Sequence, residues 1–366
     1  MKQKRLTFLL LLISNLFCAS AQKWYKPEID LKVEELLGQM TVEEKLGYIG
    51  GIDWMYTKSI DRLGIHRMRM SDGPQGIGTK GKSTAYPATV TLAATWNENL
   101  AYQYGKALGR DCRARNINVI LGPAVNIYRA PMCGRNFEYM GEDPYLTSRI
   151  CVGYIKGVQD QGVMATVKHF VANNSDYDRN NISNDIDERT LNEIYFPAYK
   201  AAIQEAEVGA IMTSYNLMNG IYTTENPWLL KEVLRNQWGF KGLVMSDWGS
   251  THYCVPAARS GLDLEMAGGE KMNPKDMAYY LKTGDVTMDM VDEKVRHILR
   301  ILIAFGFKDG TEADKSIALD DPQSVETALN VAREGLVLLK NENNILPEAF
   351  DPRVADTVSK AIKDLI

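Results

Sequence analysis

Short apolar runs alternate with amphipathic segments along most of the chain. Runs of this kind predict buried strands, and apolar residues spaced three and four apart between them predict helices. The strand-like runs are 118–121, 163–167, 208–212, 243–245 and, more weakly, 262–264. Strands that alternate with helices usually pair in parallel through right-handed crossovers. The pattern therefore predicts an α/β fold with a parallel sheet.

Several of the predicted helices have recognisable starts and ends. Thr41–Glu44 and Thr95–Glu98 both have the spacing of a capping box. Pro227 follows an asparagine and suits the first position of a helix. The apolar face of a helix over 289–305 is followed by Gly306, a common helix stop.

Polar residues collect after the predicted strands. They are Asp72, Asn126, Lys168, His169, Tyr215, Asn216, Asp247, Trp248 and Glu265. In a barrel of parallel strands the carboxyl ends open onto one rim, so these side chains would converge there. No Gly-x-Gly-x-x-Gly opens a helix after an early strand, which disfavours a dinucleotide-binding sheet. We therefore predict a TIM-like (β/α)8 barrel over residues 22–310.

The first 21 residues predict a secretory signal peptide. A basic start precedes an apolar run over 6–17 and the small residues 19–21. The run is too short to remain as a membrane helix, and large residues before Cys18 disfavour a lipoprotein signal. We expect cleavage after Ala21 and a periplasmic or secreted protein without a membrane anchor.

Charge and cysteine content narrow the possible partners. Removing the three cations of the signal changes the formal net charge from −4 to −7. This acidity argues against nucleic acid and anionic membranes as partners, and it fits a neutral substrate. The remaining cysteines, Cys112, Cys133, Cys151 and Cys254, lack metal-site spacing, so free thiols and disulfides stay equally open. No histidine pair has zinc spacing, and we predict neither a metal nor a cofactor.

The run 243–245 ends on Ser246-Asp247-Trp248. A carboxylate at a strand end beside an indole suits nucleophilic work on a sugar, because the C–H face of a sugar ring stacks on an aromatic ring. The alternative is that Asp247 caps the next segment and Trp248 fills the core. A single Ser-Asp-Trp does not decide between the two.

Two other segments could carry chemistry. Lys168 and His169 could bind hydroxyls, while the lysine alone could also form a Schiff base or a structural ion pair. Arg135 lies in a segment dense in charge, aromatics and glycine, which is typical of a functional rim loop but also of an ordinary solvated loop. Glu188 opens a predicted helix, and we interpret it as structural.

Several motifs stand together in one order along the chain. They are Arg62-Leu63-Gly64-Ile65 through Ser71-Asp72-Gly73-Pro74, Gly134-Arg135-Asn136-Phe137-Glu138 with Glu142-Asp143-Pro144, Lys168-His169-Phe170, Asp187-Glu188-Arg189-Thr190-Leu191, Ser214-Tyr215-Asn216, Trp238-Gly239-Phe240 and Ser246-Asp247-Trp248. With these motifs the sequence resembles the N-terminal barrel domain of the β-glucosidase branch of glycoside hydrolase family three, over residues 31–347.

The resemblance implies a role for each residue of the site. Asp247 is expected to be the nucleophile of a retaining mechanism that hydrolyses terminal β-glucosyl or related β-glycosyl residues. The expected sugar-binding residues are Asp72, Arg135, Lys168, His169, Tyr215 and Trp248. The substrate is then a β-linked glucoside or oligosaccharide.

Retention also needs a second carboxyl, which the resemblance assigns to a second α/β domain. Residues 311–347 are expected to be a linker and the start of such a domain, and 348–366 show no family pattern. No acid/base residue can be assigned, and the histidine loop of the N-acetylglucosaminidase branch is missing after Lys168-His169-Phe170-Val171-Ala172-Asn173. Three interpretations stay open: a β-glucosidase completed by a partner chain or an unidentified residue, a truncated and weakly active product, and a non-catalytic sugar-binding barrel.

Overall fold

The computed structural model describes residues 24–78 and 81–337. Its strands are β1 (Met70–Asp72), β2 (Val119–Leu121), β3 (Met164–Phe170), β4 (Ser183–Asn184), β5 (Ala210–Thr213), β6 (Leu217–Met218), β7 (Ile221–Tyr222) and β8 (Leu243–Met245). Five of them form one sheet in the order β1-β2-β3-β5-β8, and every neighbouring pair in it is parallel. A small second sheet joins β4, β6 and β7 near the carboxyl ends of β3 and β5.

Single bridges continue the pairing beyond both edges of the five-stranded sheet. β8 pairs in parallel with Leu264, and the adjacent Glu265 pairs in parallel with Gly50. Tyr56 then pairs antiparallel with Arg69, directly before β1. The pairing therefore runs from β8 round to the segment that precedes β1, which is the arrangement expected of a TIM-like barrel.

Helices precede, separate and follow these strands along the chain. The α-helices are Pro27–Gln39, Val42–Tyr48, Thr89–Ala94, Glu98–Arg113, Pro144–Gln159, Glu188–Thr190, Pro197–Gln204, Cys254–Ser260, Pro274–Thr283, Met288–Ala304 and Pro322–Glu334. Leu191–Tyr195 and Trp228–Gln237 are π-type helices, and Asp61–Leu63, Asn136–Glu138 and Thr223–Glu225 are single 3-10 turns. The alternation of strands and helices predicted from the sequence is confirmed.

The predicted strand runs agree with the observed strands in place and type. The run 243–245 coincides with β8, and β2, β3 and β5 fall within or overlap the other three strong runs. The weaker run 262–264 forms only a bridge. Every residue of β2, β3, β5 and β8 is buried, which accounts for the mainly apolar character of these strands. The exceptions include Lys168 and His169 at the carboxyl end of β3.

One of the two predicted capping boxes is correct. The Thr41 hydroxyl accepts from the Glu44 N–H, and the Glu44 carboxylate accepts from the Thr41 N–H. The second prediction is wrong, because Asn97, not Thr95, caps the helix Glu98–Arg113. The Thr95 hydroxyl instead donates to the Leu92 carbonyl at 2.7 Å, at the end of the preceding helix. Thr95 and Asn97 are both residue types that cap helices, and they lie two positions apart. Thr95 follows the end of the helix Thr89–Ala94, whereas Asn97 caps the start of the next helix.

The remaining expectations concern the cysteines, the absence of a membrane helix and the two ends of the chain. Cys112, Cys133, Cys151 and Cys254 are free thiols, which decides the pairing question for these four. Across 24–78 and 81–337, no helix combines the length and apolar character needed to span a bilayer. The predicted signal over 1–21 and the tail 348–366 lie outside the described residues and stay predictions, as do the domain boundaries. Leu336 and Val337, within the expected linker and start of a second domain over 311–347, are exposed and not in a strand.

Candidate active site

The carboxyl ends of the strands enclose a pocket of about 270 Å³. It is lined by Trp54, Met55, Asp72, Leu121, Arg135, Lys168, Arg179, Met212, Tyr215, Asp247 and Trp248. Asp72 ends β1, Lys168 lies in β3, Tyr215 follows β5, and Asp247 follows β8. The parallel sheet thus brings together all the predicted site residues, six of them in the pocket lining and His169 buried behind Arg135.

Asp247 lies at the bottom of this pocket and is only 7% exposed. One carboxylate oxygen, Oδ1, accepts the N–H of Trp248 at 2.7 Å. The other, Oδ2, lies 3.8 Å from Arg135 Nη1 and 3.6 Å from His169 Nε2. Burial raises the pKa of the Asp247 carboxyl, and the positive charges of Arg135 and Lys168 oppose that rise. The ionised form of Asp247 therefore depends on two neighbouring cations.

Arg135 is held in place from two sides. Its Nε donates to Glu138 Oε1 at 2.5 Å, and its Nη2 lies 2.9 Å from His169 Nε2. Burial and the charges of Arg135 and Lys168 hold the pKa of His169 well below its usual range, so the ring is neutral. A neutral ring that accepts from the guanidinium on Nε2 carries its proton on Nδ1, on the side of Asn126. His169 thus positions Arg135.

The buried Lys168 contacts one exposed and one buried carboxylate. Its Nζ lies 3.1 Å from Asp72 Oδ1 and 3.8 Å from Glu138 Oε2. The Lys168 charge lowers the pKa of Asp72, whose side chain is 62% exposed. Lys168 is paired with two carboxylates, an arrangement that suits hydroxyl binding or a structural ion pair better than a Schiff base.

Tyr215 faces the nucleophile candidate across the pocket. Its hydroxyl interacts with the Asp247 carboxylate, and this interaction lowers the pKa of Asp247. Burial, together with the charge of Asp247, raises the pKa of Tyr215, so the phenol keeps its proton. Tyr215 is therefore a hydrogen-bond donor at neutral pH.

Arg179 and Trp54 also line the pocket, although neither was predicted from the sequence. The Arg179 guanidinium lies 4.1 Å from the centre of the Tyr215 ring and pairs with Asp176 at 2.9 Å. The Trp54 carbonyl accepts the indole N–H of Trp248 at 2.8 Å. Neither residue follows a strand directly. The available signals were a lone arginine in the long loop after β3 and an aromatic residue in the loop before β1.

Some residues singled out by the sequence have structural roles. Asn126 bonds the backbone N–H and carbonyl of His169. Glu265 accepts the backbone N–H groups of Lys271 and Met272. Glu188 stands in the first turn of its short helix, as expected. In the ranges covered by the structure, no three His, Cys, Asp or Glu side chains are placed to hold a metal ion.

Comparison with known proteins decides the family. Residues 37–301 match the N-terminal domain of glycosyl hydrolase family 3. The chain belongs to glycosyl hydrolase family 3. A β-glucosidase from Rhizobium radiobacter is 42% identical over 323 residues, which cover 87% of this chain and 39% of that protein. β-Glucosidase BoGH3A from Bacteroides ovatus is 41% identical over 342 residues, covering 86% of this chain and 45% of that protein.

Solved structures of the family agree in fold. β-Glucosidase 3B from Thermotoga neapolitana, in complex with α-D-glucose, superposes with a TM-score of 0.79 at 35% identity, covering 86% of this chain and 48% of that one. A β-glucosidase from Kluyveromyces marxianus, in complex with glucose, gives a TM-score of 0.80 at 35% identity, covering 86% and 39%. These matches confirm the predicted α/β fold of the TIM-like barrel type. The chain spans less than half of the length of each of these four family 3 relatives.

Proposed function

We propose that this pocket cleaves terminal, non-reducing β-D-glucosyl residues, or closely related β-glycosyl residues, with Asp247 as the nucleophile of a retaining mechanism. The observation that supports this most is Asp247 Oδ2, a buried carboxylate oxygen that accepts no hydrogen bond from the described residues. It lies at the bottom of a pocket ringed by hydroxyl-binding side chains, in a family 3 chain whose relatives are named β-glucosidases.

The surrounding groups suit attack on an anomeric carbon. Oδ2 of Asp247 would form the bond to that carbon as the glycosidic oxygen leaves, giving a covalent glycosyl-enzyme that water then hydrolyses with net retention. The positive charges of Arg135 and Lys168 oppose the rise in the pKa of Asp247 that burial causes, and so favour its ionised form. Asp72 and Lys168 present an acceptor and a donor near the pocket entrance, where they can bind sugar hydroxyls. Trp248 offers an indole face in the lining for the C–H face of the sugar.

The described part of the pocket offers no carboxyl group that is free to act as the general acid. The carboxyl groups in its lining belong to Asp72 and Asp247. Asp72 has a lowered pKa and is ionised at neutral pH, so it cannot protonate a leaving oxygen. We therefore propose that the acid/base is contributed from outside residues 24–78 and 81–337, by another segment of the polypeptide or by a partner chain.

This division of roles predicts a strong dependence on the leaving group. In a dinitrophenyl β-glucoside the leaving group is dinitrophenolate, which departs without being protonated. We therefore expect this chain to cleave that substrate. Methyl β-glucoside has a leaving group that must be protonated by an acid. Its cleavage should therefore be slower, relative to the dinitrophenyl substrate, by about 10²–10⁴-fold more than in an enzyme that has its general acid in place, because this is the usual contribution of general acid catalysis. Rates measured for both substrates, with dinitrophenyl α-glucoside as the control for stereochemistry, test this expectation.

The product of that reaction tests the retaining mechanism. Proton NMR of the first turnovers should show β-glucose before mutarotation. Release of α-glucose first would contradict a glycosyl-enzyme on Asp247. If the dinitrophenyl β-glucoside is cleaved no faster than the α-glucoside, although glucose binds, the chain is a sugar-binding barrel without catalytic activity. That second candidate is favoured only by the lack of an acid in the described lining.

A further inference from the structure

A buried polar turn lies between the two loops that carry Tyr215 and Asp247. Thr223–Glu225 forms a single 3-10 turn directly after β7. Thr223 and Thr224 are 0% exposed and Glu225 is 7% exposed. A 3-10 turn has about three residues per turn, so successive side chains point roughly 120° apart. Three neighbouring residues can therefore reach three different parts of the structure.

Thr223 binds the loop that carries Tyr215. Its Oγ1 accepts the Ser214 N–H at 3.1 Å and donates to the Ser214 carbonyl at 2.8 Å. The hydroxyls of Thr223 and Ser214 are also 3.0 Å apart. Ser214 is itself buried and is followed directly by Tyr215. Thr223 thus fixes the peptide unit from which the Tyr215 side chain leaves.

Thr224 binds the loop that carries Asp247. Its hydroxyl donates to the Ser250 carbonyl at 3.1 Å. Ser250 in turn donates to the Asp247 carbonyl, from its N–H at 3.2 Å and from its hydroxyl at 3.0 Å. A continuous route of buried hydrogen bonds therefore leads from Thr224 to the backbone of Asp247.

The flanking residues extend this contact along the same loop. Glu225 Oε1 accepts the N–H groups of His252 and Tyr253 at 2.8 and 2.7 Å. The Tyr222 ring stacks on the His252 ring with 3.6 Å between centroids. The described side-chain hydrogen bonds of Thr223–Glu225 go to the loops that carry Tyr215 and Asp247. None of them goes to the next helix, Trp228–Gln237. Burying polar groups costs free energy unless they are hydrogen-bonded. We therefore expect these hydrogen bonds to hold the turn and the two loops in one fixed arrangement.

We propose that Thr223 and Thr224 are positioning residues that set the Tyr215 hydroxyl against the Asp247 carboxylate. Neither threonine lines the pocket, so neither contacts the sugar there. They act through Ser214 on one side and through Ser250 on the other. This inference rests on the proposed function for its catalytic consequences, but its geometric content can be tested without catalysis.

The acidity of Asp247 is the property that should respond. Tyr215 and Asp247 line the same pocket, and the nearby Tyr215 hydroxyl lowers the pKa of the Asp247 carboxyl. If Thr224 is changed so that the Asp247 loop moves away from Tyr215, this interaction weakens and the pKa of Asp247 rises. The nucleophile must be ionised, so the acidic limb of kcat/KM should move to higher pH.

The experiment uses Thr223→Val and Thr224→Val, which keep the shape of the side chain and remove the hydroxyl. With dinitrophenyl β-glucoside we expect kcat to fall about tenfold in each variant and KM to change little, because a small misplacement of reacting groups lowers the rate. Thr224→Ser keeps the hydroxyl and should restore the kcat, the KM and the acidic limb. Thr224→Ala guards against an effect of the second methyl group of valine.

Thr166→Val is the matched control. Thr166 lies in β3, is 0% exposed, and its hydroxyl has no hydrogen-bond partner among the described residues, so valine there removes no such bond. Its kinetics and pH profile should match those of the parent protein. Equal losses in Thr166→Val and Thr224→Val would overturn the positioning role, because both effects would then reflect general damage to the barrel.

A second measurement separates this inference from the proposed function. Carbon NMR of protein labelled at the aspartate carboxyl, with the Asp247 signal identified by its loss in Asp247→Asn, gives the pKa of Asp247 without turnover. We expect a higher pKa in Thr223→Val and Thr224→Val than in the parent and in Thr166→Val. An unchanged pKa in both variants would overturn the inference even if the parent is an active glucosidase. A raised pKa in an inactive parent would support it while the proposed function fails.

Discussion

Asp247→Asn should lower the cleavage of dinitrophenyl β-glucoside by at least about 10⁴-fold, the scale of loss expected when a covalent nucleophile is removed. Asparagine keeps the shape of the side chain, and its amide oxygen can still accept the Trp248 N–H that Oδ1 accepts at 2.7 Å. It lacks the anionic oxygen that would attack the anomeric carbon. Glucose binding, measured by calorimetry, should persist.

Asp72→Asn is the matched comparison for that variant. The same chemical change at the pocket entrance removes a negative charge next to Lys168 but leaves Asp247 intact. We expect its main effect on KM, because a hydroxyl acceptor is weakened while the reacting oxygen remains. If Asp247→Asn and Asp72→Asn lose activity in the same way and to the same extent, Asp247 has no special place in the reaction.

Arg135→Met should have the largest effect on stability, with about 3–5 kcal/mol lost from the free energy of unfolding, as expected when one partner of a buried ion pair is removed. The guanidinium contacts Glu138 at 2.5 Å and Asp247 at 3.8 Å, and both carboxylates are buried. Urea unfolding of the two proteins measures the difference. A loss below about 1 kcal/mol, typical of an exposed pair, would contradict the assigned role.

The same variant should also change the pH dependence of activity. Arg135 opposes the rise in the pKa of Asp247 caused by burial, so its removal raises that pKa further. The acidic limb of kcat/KM then moves to higher pH, and activity is lost more at pH 5 than at pH 7. The double variant Arg135→Met with Glu138→Gln also removes the buried carboxylate that has lost its arginine partner. It should recover part of the stability but none of the pH shift, because Asp247 still lacks one of its two neighbouring cations.

The barrel was predictable because its signals are local. Each strong apolar run is followed by a polar residue at the strand end, and parallel pairing brings those ends to one rim. Asp72, Lys168, Tyr215 and Asp247 could therefore be placed around one pocket before any contact was known. The same logic applied to Glu265 indicated a functional residue, although its carboxylate is occupied by backbone N–H groups of the following loop.

The parts that could not be predicted depend on how loops fold back. Arg179 reaches the pocket by stacking on Tyr215, and no spacing in the sequence expresses that contact. The turn Thr223–Glu225 has the composition of an ordinary polar loop, yet it is buried between two site-bearing loops. Asn97 replaced Thr95 as a cap because the choice depends on which carbonyl the threonine hydroxyl can reach.

In the proposed mechanism the chain supplies a nucleophile and sugar-binding side chains, while the described pocket lining holds no carboxyl group besides Asp72 and Asp247. This combination gives the proposed glycosyl-enzyme an unusual property. Its formation from an activated glucoside needs no acid, but its hydrolysis normally needs a base to activate water. The covalent intermediate should therefore accumulate in this chain more readily than in an enzyme with both carboxyl groups in place.

Mass spectrometry of the intermediate tests the central claim most directly. The folded chain is incubated with a dinitrophenyl glucoside that carries fluorine at the second ring carbon, which slows the breakdown of the intermediate, and is then digested into peptides. We expect one added fluoroglucosyl group, on the peptide that contains Asp247, and none in Asp247→Asn. A folded, glucose-binding chain that acquires no label, or a label on a residue other than Asp247, would contradict the account.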